Sequence, residues 1–69
     1  MTKNLRKLMS EARDAGLAVV KQGQDEMFQI KRKSVSVVIW PDGSITRGDV
    51  QWHLARRMTQ KEARSLLGI

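Results

Sequence analysis

Between Met27 and Ile45 two runs show a period of two, separated by "KRKS", and the second run ends at Pro41-Asp42-Gly43. In "EMFQIKRK" Phe28 and Ile30 alternate with Met27, Gln29 and Lys31; in "SVSVVIW" Val35, Val37 and Ile39 alternate with Ser36, Val38 and Trp40. A period of two gives a sheet one buried face and one open face. Proline sets φ for the first corner of a type I turn, aspartate suits the second, and glycine takes the left-handed position after it. That loop pairs Trp40 with Ser44 and Ile39 with Ile45. Ile45 thereby joins the buried face, and Trp40 lies on the other face with Val38 and Met27. Asp42 is a turn residue with no catalytic role.

The remaining segments must cover the buried face. "TKNLRKLMSEARDAGL" sets Leu5, Leu8, Met9, Ala12 and Ala15 on one helical stripe. Thr2 suits its start and Gly16-Leu17 its left-handed end. The segment "LAVVK", followed by "QGQD", reads as a short strand and turn, giving three or four strands in all. Asp49 suits the cap of a second helix. At about 100° per residue, Val50, Leu54 and Met58 share a face that Ala63, Leu66 and Leu67 do not, so a break is expected. "MTQKEA" supplies it: Thr59 and Glu62 form a capping box, and Met58 and Ala63 its hydrophobic staple. The sequence predicts two carboxy-terminal helices, about 50–57 and 60–67, the latter ended by Gly68.

The expected architecture is a single small α+β domain over residues 1–69: an amino-terminal helix, a three- or four-stranded antiparallel meander and a carboxy-terminal helical pair. With 69 residues and no cysteine, the chain must hold one core without disulfide or thiolate metal support. No apolar run approaches the ~20 residues of a membrane span, and the amino terminus lacks the apolar core of a signal peptide. A cytoplasmic protein without membrane partners is expected.

Charge points to a partner. Thirteen Lys and Arg against seven Asp and Glu give +6, a balance that favours polyanions. From Lys31 to Arg64 there are eight basic residues and three acids, and all three acids have turn or capping roles. Lys31, Arg32 and Lys33 cluster at the turn between the second and third strands, as phosphate contacts or as a solvated tip. On the expected helix 50–57, Trp52 and Arg56 project together, flanked by His53 and Arg57. Tryptophan beside arginine suits base stacking with phosphate contact, or a protein hot spot; covering a sheet edge is the bland alternative. Arg47 completes the candidate surface. Catalysis is poorly supplied: His53 is the one histidine, the serines have no evident base, and no glycine-rich phosphate loop, metal-ligand cluster or cofactor motif is present.

Two resemblances add to this reading. "LMSEARDAGLAVVKQGQDEMFQI" leading into "WPDGS" resembles, in element order, the double-stranded-RNA-binding-like fold of HicA-type toxins. Those toxins carry a histidine at the start of the second strand. Gln24, Asp25 and Glu26 stand there in this chain, so ribonuclease activity is not carried over. "MTQKEARSLLGI" is similar to the first helix of excisionase-type helix-turn-helix domains, but Ile69 stands where the recognition helix would begin. The chain also resembles the small regulators encoded by phages and prophages. The expected function is non-catalytic nucleic-acid binding or regulation, with DNA or RNA. The alternatives are modulation of a host or replication protein, or a degenerate toxin–antitoxin component.

Overall fold

The computed structural model describes residues 3–23 and 27–69, with Trp52 as backbone only. The elements in chain order are α1 (Lys3–Asp14), β1 (Ala18–Gln22), β2 (Met27–Arg32), β3 (Val35–Ile39), β4 (Ile45–Arg47), a 3₁₀ turn (Trp52–Leu54) and α2 (Gln60–Leu67). The strands form one antiparallel meander in the order β1-β2-β3-β4. The α+β class and the meander are those the alternation predicts. The predicted cap at Thr2 lies outside the described residues, as do Gln24 and Asp25 of the "QGQD" turn.

Register decides which residues meet the helices. Phe28 pairs with Ile39, Ile30 with Val37, and Ile39 with Ile45. Ile30, Val37, Ile39 and Ile45 are buried with Leu5, Leu8, Met9 and Ala12 of α1 and Ala63 and Leu67 of α2. Leu17, Val19, Phe28, Val35, Met58 and Ile69 pack around that core. Ala15 does not join it: α1 ends at Asp14 and Ala15 is exposed. The Leu17 amide donates to the Ala12 carbonyl and the Gly16 amide to Arg13, with Gly16 at φ 83°. This left-handed end turns the chain out of the helix directly after Asp14, which carries Ala15 off the buried stripe.

The turn after β3 forms as expected. The Gly43 amide donates to the Trp40 carbonyl and the Trp40 amide to that of Ser44, with Gly43 at φ 91°. The capping box of α2 is also present. The Thr59 hydroxyl accepts from the Glu62 amide at 3.1 Å, and Glu62 Oε1 accepts from the Thr59 amide at 3.3 Å. Arg64 Nε donates to Glu11 Oε2 at 3.0 Å and ties α2 to α1.

The segment between β4 and α2 differs from expectation. No helix spans 50–57; a single 3₁₀ turn occupies Trp52–Leu54. Two tertiary demands prevent the helix. The Met58 amide donates to the Ile45 carbonyl and Arg57 bridges to Thr46, so the chain must return extended along the edge of β4. Asp49, the expected cap, is instead held by Arg47 Nε at 2.9 Å. Gln51, Leu54, Ala55, Arg56 and Arg57 are good helix formers, but a helix this short is marginal by itself and has little to set against those contacts. Val50 and Leu54 consequently lie exposed, Leu54 at 62 %, where an inward-facing stripe was expected.

Gly48 positions this return. Its amide donates to the Ser36 carbonyl, and the chain then turns over the outer face of the sheet. A Cβ at Gly48 would lie 2.7 Å from Ser36 Oγ and 2.8 Å from Val38 Cγ2, both on the outer face. Close approach, rather than an unusual φ, is what requires glycine there. Gly48→Val should therefore lower stability by about 1–3 kcal/mol through overpacking, and Thr59→Ala by about 1 kcal/mol through loss of the cap. Urea midpoints check both; an unchanged midpoint for Gly48→Val would remove the close approach from the account.

Candidate nucleic-acid interface

The connection between β2 and β3 is the two residues Lys33 and Ser34 rather than all of "KRKS", since Arg32 pairs with Val35 and Lys31 with Ser36 as the last residues of β2. Lys33 adopts φ 53° in that turn, a conformation uncommon for a residue with a Cβ. Lys31, Arg32 and Lys33 are all exposed. Strand alternation sends Lys31 to the outer face, in register with Ala18 and Ser36 and Arg32 to the helical face. There Arg32 Nη1 donates to the Leu67 carbonyl at 2.6 Å, at the end of α2. Gly68 follows at φ 72°, and a Cβ on it would fall 1.8 Å from that Nη1. A cation on the last carbonyls of a helix satisfies an orphan acceptor and complements the dipole. Arg32 is thus a helix-ending residue as well as a surface charge.

The other predicted site residues lie around β4 and the segment after it. Arg47 is half-buried and grips Asp49 through two hydrogen bonds. That pair raises the pKa of Arg47 and lowers that of Asp49, chiefly through the side-chain hydrogen bonds themselves. Arg57 is loosely held, with Nη2 3.6 Å from Asp42 Oδ2 and 77 % of its side chain exposed. The Asp42 carboxyl is itself held below its ordinary range, first by the Ser44 hydroxyl and then by the Ser44 amide. Arg56 is exposed. The Trp52 side chain lies outside the described residues. The expected pairing of Trp52 with Arg56 needed four residues of α-helix, and the 3₁₀ turn ends at Leu54, so helical geometry does not bring them together.

Apart from Trp52, the candidate residues therefore divide between the hairpin tip (Lys31, Arg32, Lys33) and β4 with the segment after it (Arg47, Arg56, Arg57). The hairpin-tip group sits at the Lys33–Ser34 end of the sheet. Arg57 lies at β4 near the Pro41–Gly43 end, with Arg56 beside it in the chain. Two further exposed features, both legible in the sequence, lie outside the seven candidate residues. The outward side of α1 carries Lys3, Arg6, Lys7 and Arg13, all exposed; their positions off the apolar stripe already signalled it. Trp40 is 39 % exposed on the outer face of the sheet, with its indole Nε1 donating to Thr46 Oγ1 at 2.8 Å.

Trp40 borders a depression on the outer face. It is a groove of about 600 Å³ lined by Val38, Trp40, Pro41, Thr46, Arg47, Val50 and Ala55, with Asp42, Ser44 and Gly48. A smaller one of about 300 Å³ adjoins it, sharing Arg47 and Val50 and adding Leu54, Arg56, Arg57, Met58, Glu62 and Leu66. Beside the groove the outer face is polar: Gln22 Nε2 donates to Gln29 Oε1, and Gln29 Nε2 donates to Ser36 Oγ. Among the described residues no three of His, Cys, Asp and Glu come together to hold a metal ion, and no helix is long and apolar enough to cross a membrane. Comparison with known protein families, curated proteins and solved structures finds no match to this chain.

Two measurements test these assignments. Arg32→Gln should lower stability by about 1 kcal/mol, because a carbonyl at the end of α2 loses a charged donor. Lys33→Gly should raise it by up to about 1 kcal/mol by relieving the positive φ. Denaturation midpoints shifting in the same direction for both would contradict the division of labour at the tip.

Carboxyl-carbon NMR through an acid titration is the second. Asp42 and Asp49 have folded pKa values below their unfolded ones. Whatever stability they confer is present above the ordinary carboxylate range, about pH 4, and is lost as pH falls through the lowered values. Arg47→Gln should move the Asp49 midpoint up toward that range and leave Asp42 in place; Ser44→Ala should do the reverse.

Proposed function

We propose that the chain is a small non-catalytic nucleic-acid-binding protein of regulatory type, acting in the cytoplasm, with its cationic surface on the phosphates. The observation that carries this reading is how the acids are spent. Asp42 is occupied by Ser44 and Asp49 by Arg47; Glu62 caps α2, and Glu11 joins Arg64. Lys31, Lys33 and Arg56 are exposed and enter no ion pair among the described residues. Each of these four acids has a partner within the fold, and the chain carries a formal net charge of +6. A surface of that kind draws in a polyanion by releasing its counterions.

The tip supports the same reading by a separate route. A lysine held at φ 53° is a local cost that glycine would avoid. A cation presented at the apex of a hairpin is a use for which that cost is tolerated. The resemblance in element order to double-stranded-RNA-binding-like toxins agrees with a nucleic-acid partner, in a form stripped of catalysis. A second reading, a modulator that docks on another protein, is favoured by one observation: Leu54 and Val50 are exposed apolar residues beside the arginines.

Salt dependence separates the two. If about 4 phosphates are neutralised, affinity for a short nucleic acid should fall on the order of 100-fold between about 50 and about 200 mM salt, a log–log slope near −3.6. Replacing Lys31 and Lys33 by Gln should make the slope shallower by roughly 2. Fluorescence anisotropy measures this directly. No binding to DNA or RNA at the lower salt would end the proposal.

A further inference from the structure

The groove on the outer face lies on the side of the sheet away from the buried core, and its shape is specific. Its aromatic wall is Trp40, whose one hydrogen-bond donor is already spent on Thr46 Oγ1. What the ring has left to offer a ligand is its π surface. The same bond fixes the ring, and Pro41 follows it directly at the rigid start of the turn, so the platform is set before anything binds. The rest of the lining is mainly apolar, with Val38, Val50 and Ala55. At about 600 Å³ the groove falls within the ~300–1,000 Å³ range of small-ligand sites.

Charge at the margin narrows the occupant. Arg57 is close to Asp42 on the groove wall, but at 3.6 Å and 77 % exposure it is free to turn outward. Arg56 lines the adjoining depression, which shares Arg47 and Val50 with the groove. Arg47 is committed to Asp49 and contributes shape more than free charge. The arrangement is a flat aromatic surface in a mainly apolar cleft with exposed guanidinium groups at its edge. A ligand that fits it has a flat unsaturated ring and an anionic chain running past.

We propose that this groove takes one unpaired nucleobase of a single strand, stacked on Trp40, while Arg56 and Arg57 meet the phosphates flanking it. The inference rests on the nucleic-acid reading above and adds a substrate class to it. In a duplex each base already stacks on its neighbours and cannot enter a cleft; in a single strand it can, and base–aromatic stacking is tolerant of sequence. The protein should therefore prefer single strands, with phosphate contacts supplying salt dependence and Trp40 supplying the preference.

The test uses the full chain with a homopyrimidine single strand of about 12 nucleotides, a duplex of about the same length, and an acidic peptide. Trp40→Leu should weaken single-strand binding about 10-fold and duplex binding little, with the salt slope unchanged. Trp40→Phe should keep most of the single-strand affinity. In a Trp52→Phe background, where Trp40 is the one tryptophan, saturating single strand should quench the emission. Thermal melting of each variant reports folding. Should Trp40→Leu fail to fold, the Phe variant and the quenching still decide. Equal affinity for both nucleic acids, with no quenching, would overturn the stacking inference and leave nucleic-acid binding standing. No affinity for either nucleic acid would overturn both. Quenching by the acidic peptide alone would assign the groove to a protein partner and overturn the inference.

Discussion

Sixty-nine residues without a disulfide supply enough apolar surface to cover one side of a four-stranded sheet, and the other side is left to the solvent. Each structural choice follows from that limit. Both helices run from the Pro41–Gly43 end toward the Lys33–Ser34 end of the sheet, joined by Glu11 and Arg64, and they bury Ile30, Val37, Ile39 and Ile45 beneath them. Among the described residues the opposite face receives only a loop, which leaves β4 at Gly48 and returns at Met58. A loop covers less than a helix does. Trp40 and Val20 stay exposed there, and a groove of about 600 Å³ opens beside Trp40. The candidate surface is thus what remains after a small chain has spent its apolar residues on one core.

What could be read in the residues follows the range of the forces involved. Alternation, a proline–aspartate–glycine turn and a capping box act within a few residues, and β2, β3, their connection to β4 and the start of α2 were all legible. The segment 50–57 was not. Asp49 is a good cap by local rules, but Arg47, two residues earlier, holds its carboxylate, and the Ile45 carbonyl requires the Met58 amide. Nothing in "VQWHLARR" announces either demand. The same limit governs the cations. Lys31 and Lys33 are solvent-facing, as their turn implied, whereas Arg32 reaches a carbonyl thirty-five residues away at the end of α2. Composition records how many charges a chain carries. Which of them are spent is decided by contacts distant in sequence.

The outer face also couples stability to its open surface. Gly48 fits only because it lacks a side chain over Ser36, Val38 and Gln29. Gln29 in turn is oriented by Gln22 and Ser36. These residues fix where the loop crosses the sheet, and so where Val50 and Ala55 stand across from Val38 and Trp40. The groove is therefore shaped by hydrogen bonds and a steric limit, with little apolar burial behind it. Walls held in this way are preorganised laterally, where side chains are pinned in register. They are weakly held outward, where only the loop resists. A flat ligand is the kind such a cleft can accept without rearranging the core, because it needs width between the sheet and the loop and makes no demand on depth.

The ion pairs fit this division. Arg64 and Glu11 are partly buried and lock the two helices, so they belong to the core side. Arg57 and Asp42 are exposed and long, and a pair of that kind contributes little to folding. Its effect is to keep a guanidinium near the groove while leaving it free to exchange the carboxylate for another anion. That exchange costs little, because Ser44 already satisfies Asp42 with two hydrogen bonds. Releasing Arg57 strands no buried charge. A phosphate could therefore take Arg57 without loss to the fold, whereas taking Arg32 would expose the end of α2 and taking Arg47 would free Asp49. Among the arginines near the groove and the tip, the cost of release sets the order in which they can serve a ligand, with Arg56 and Arg57 first.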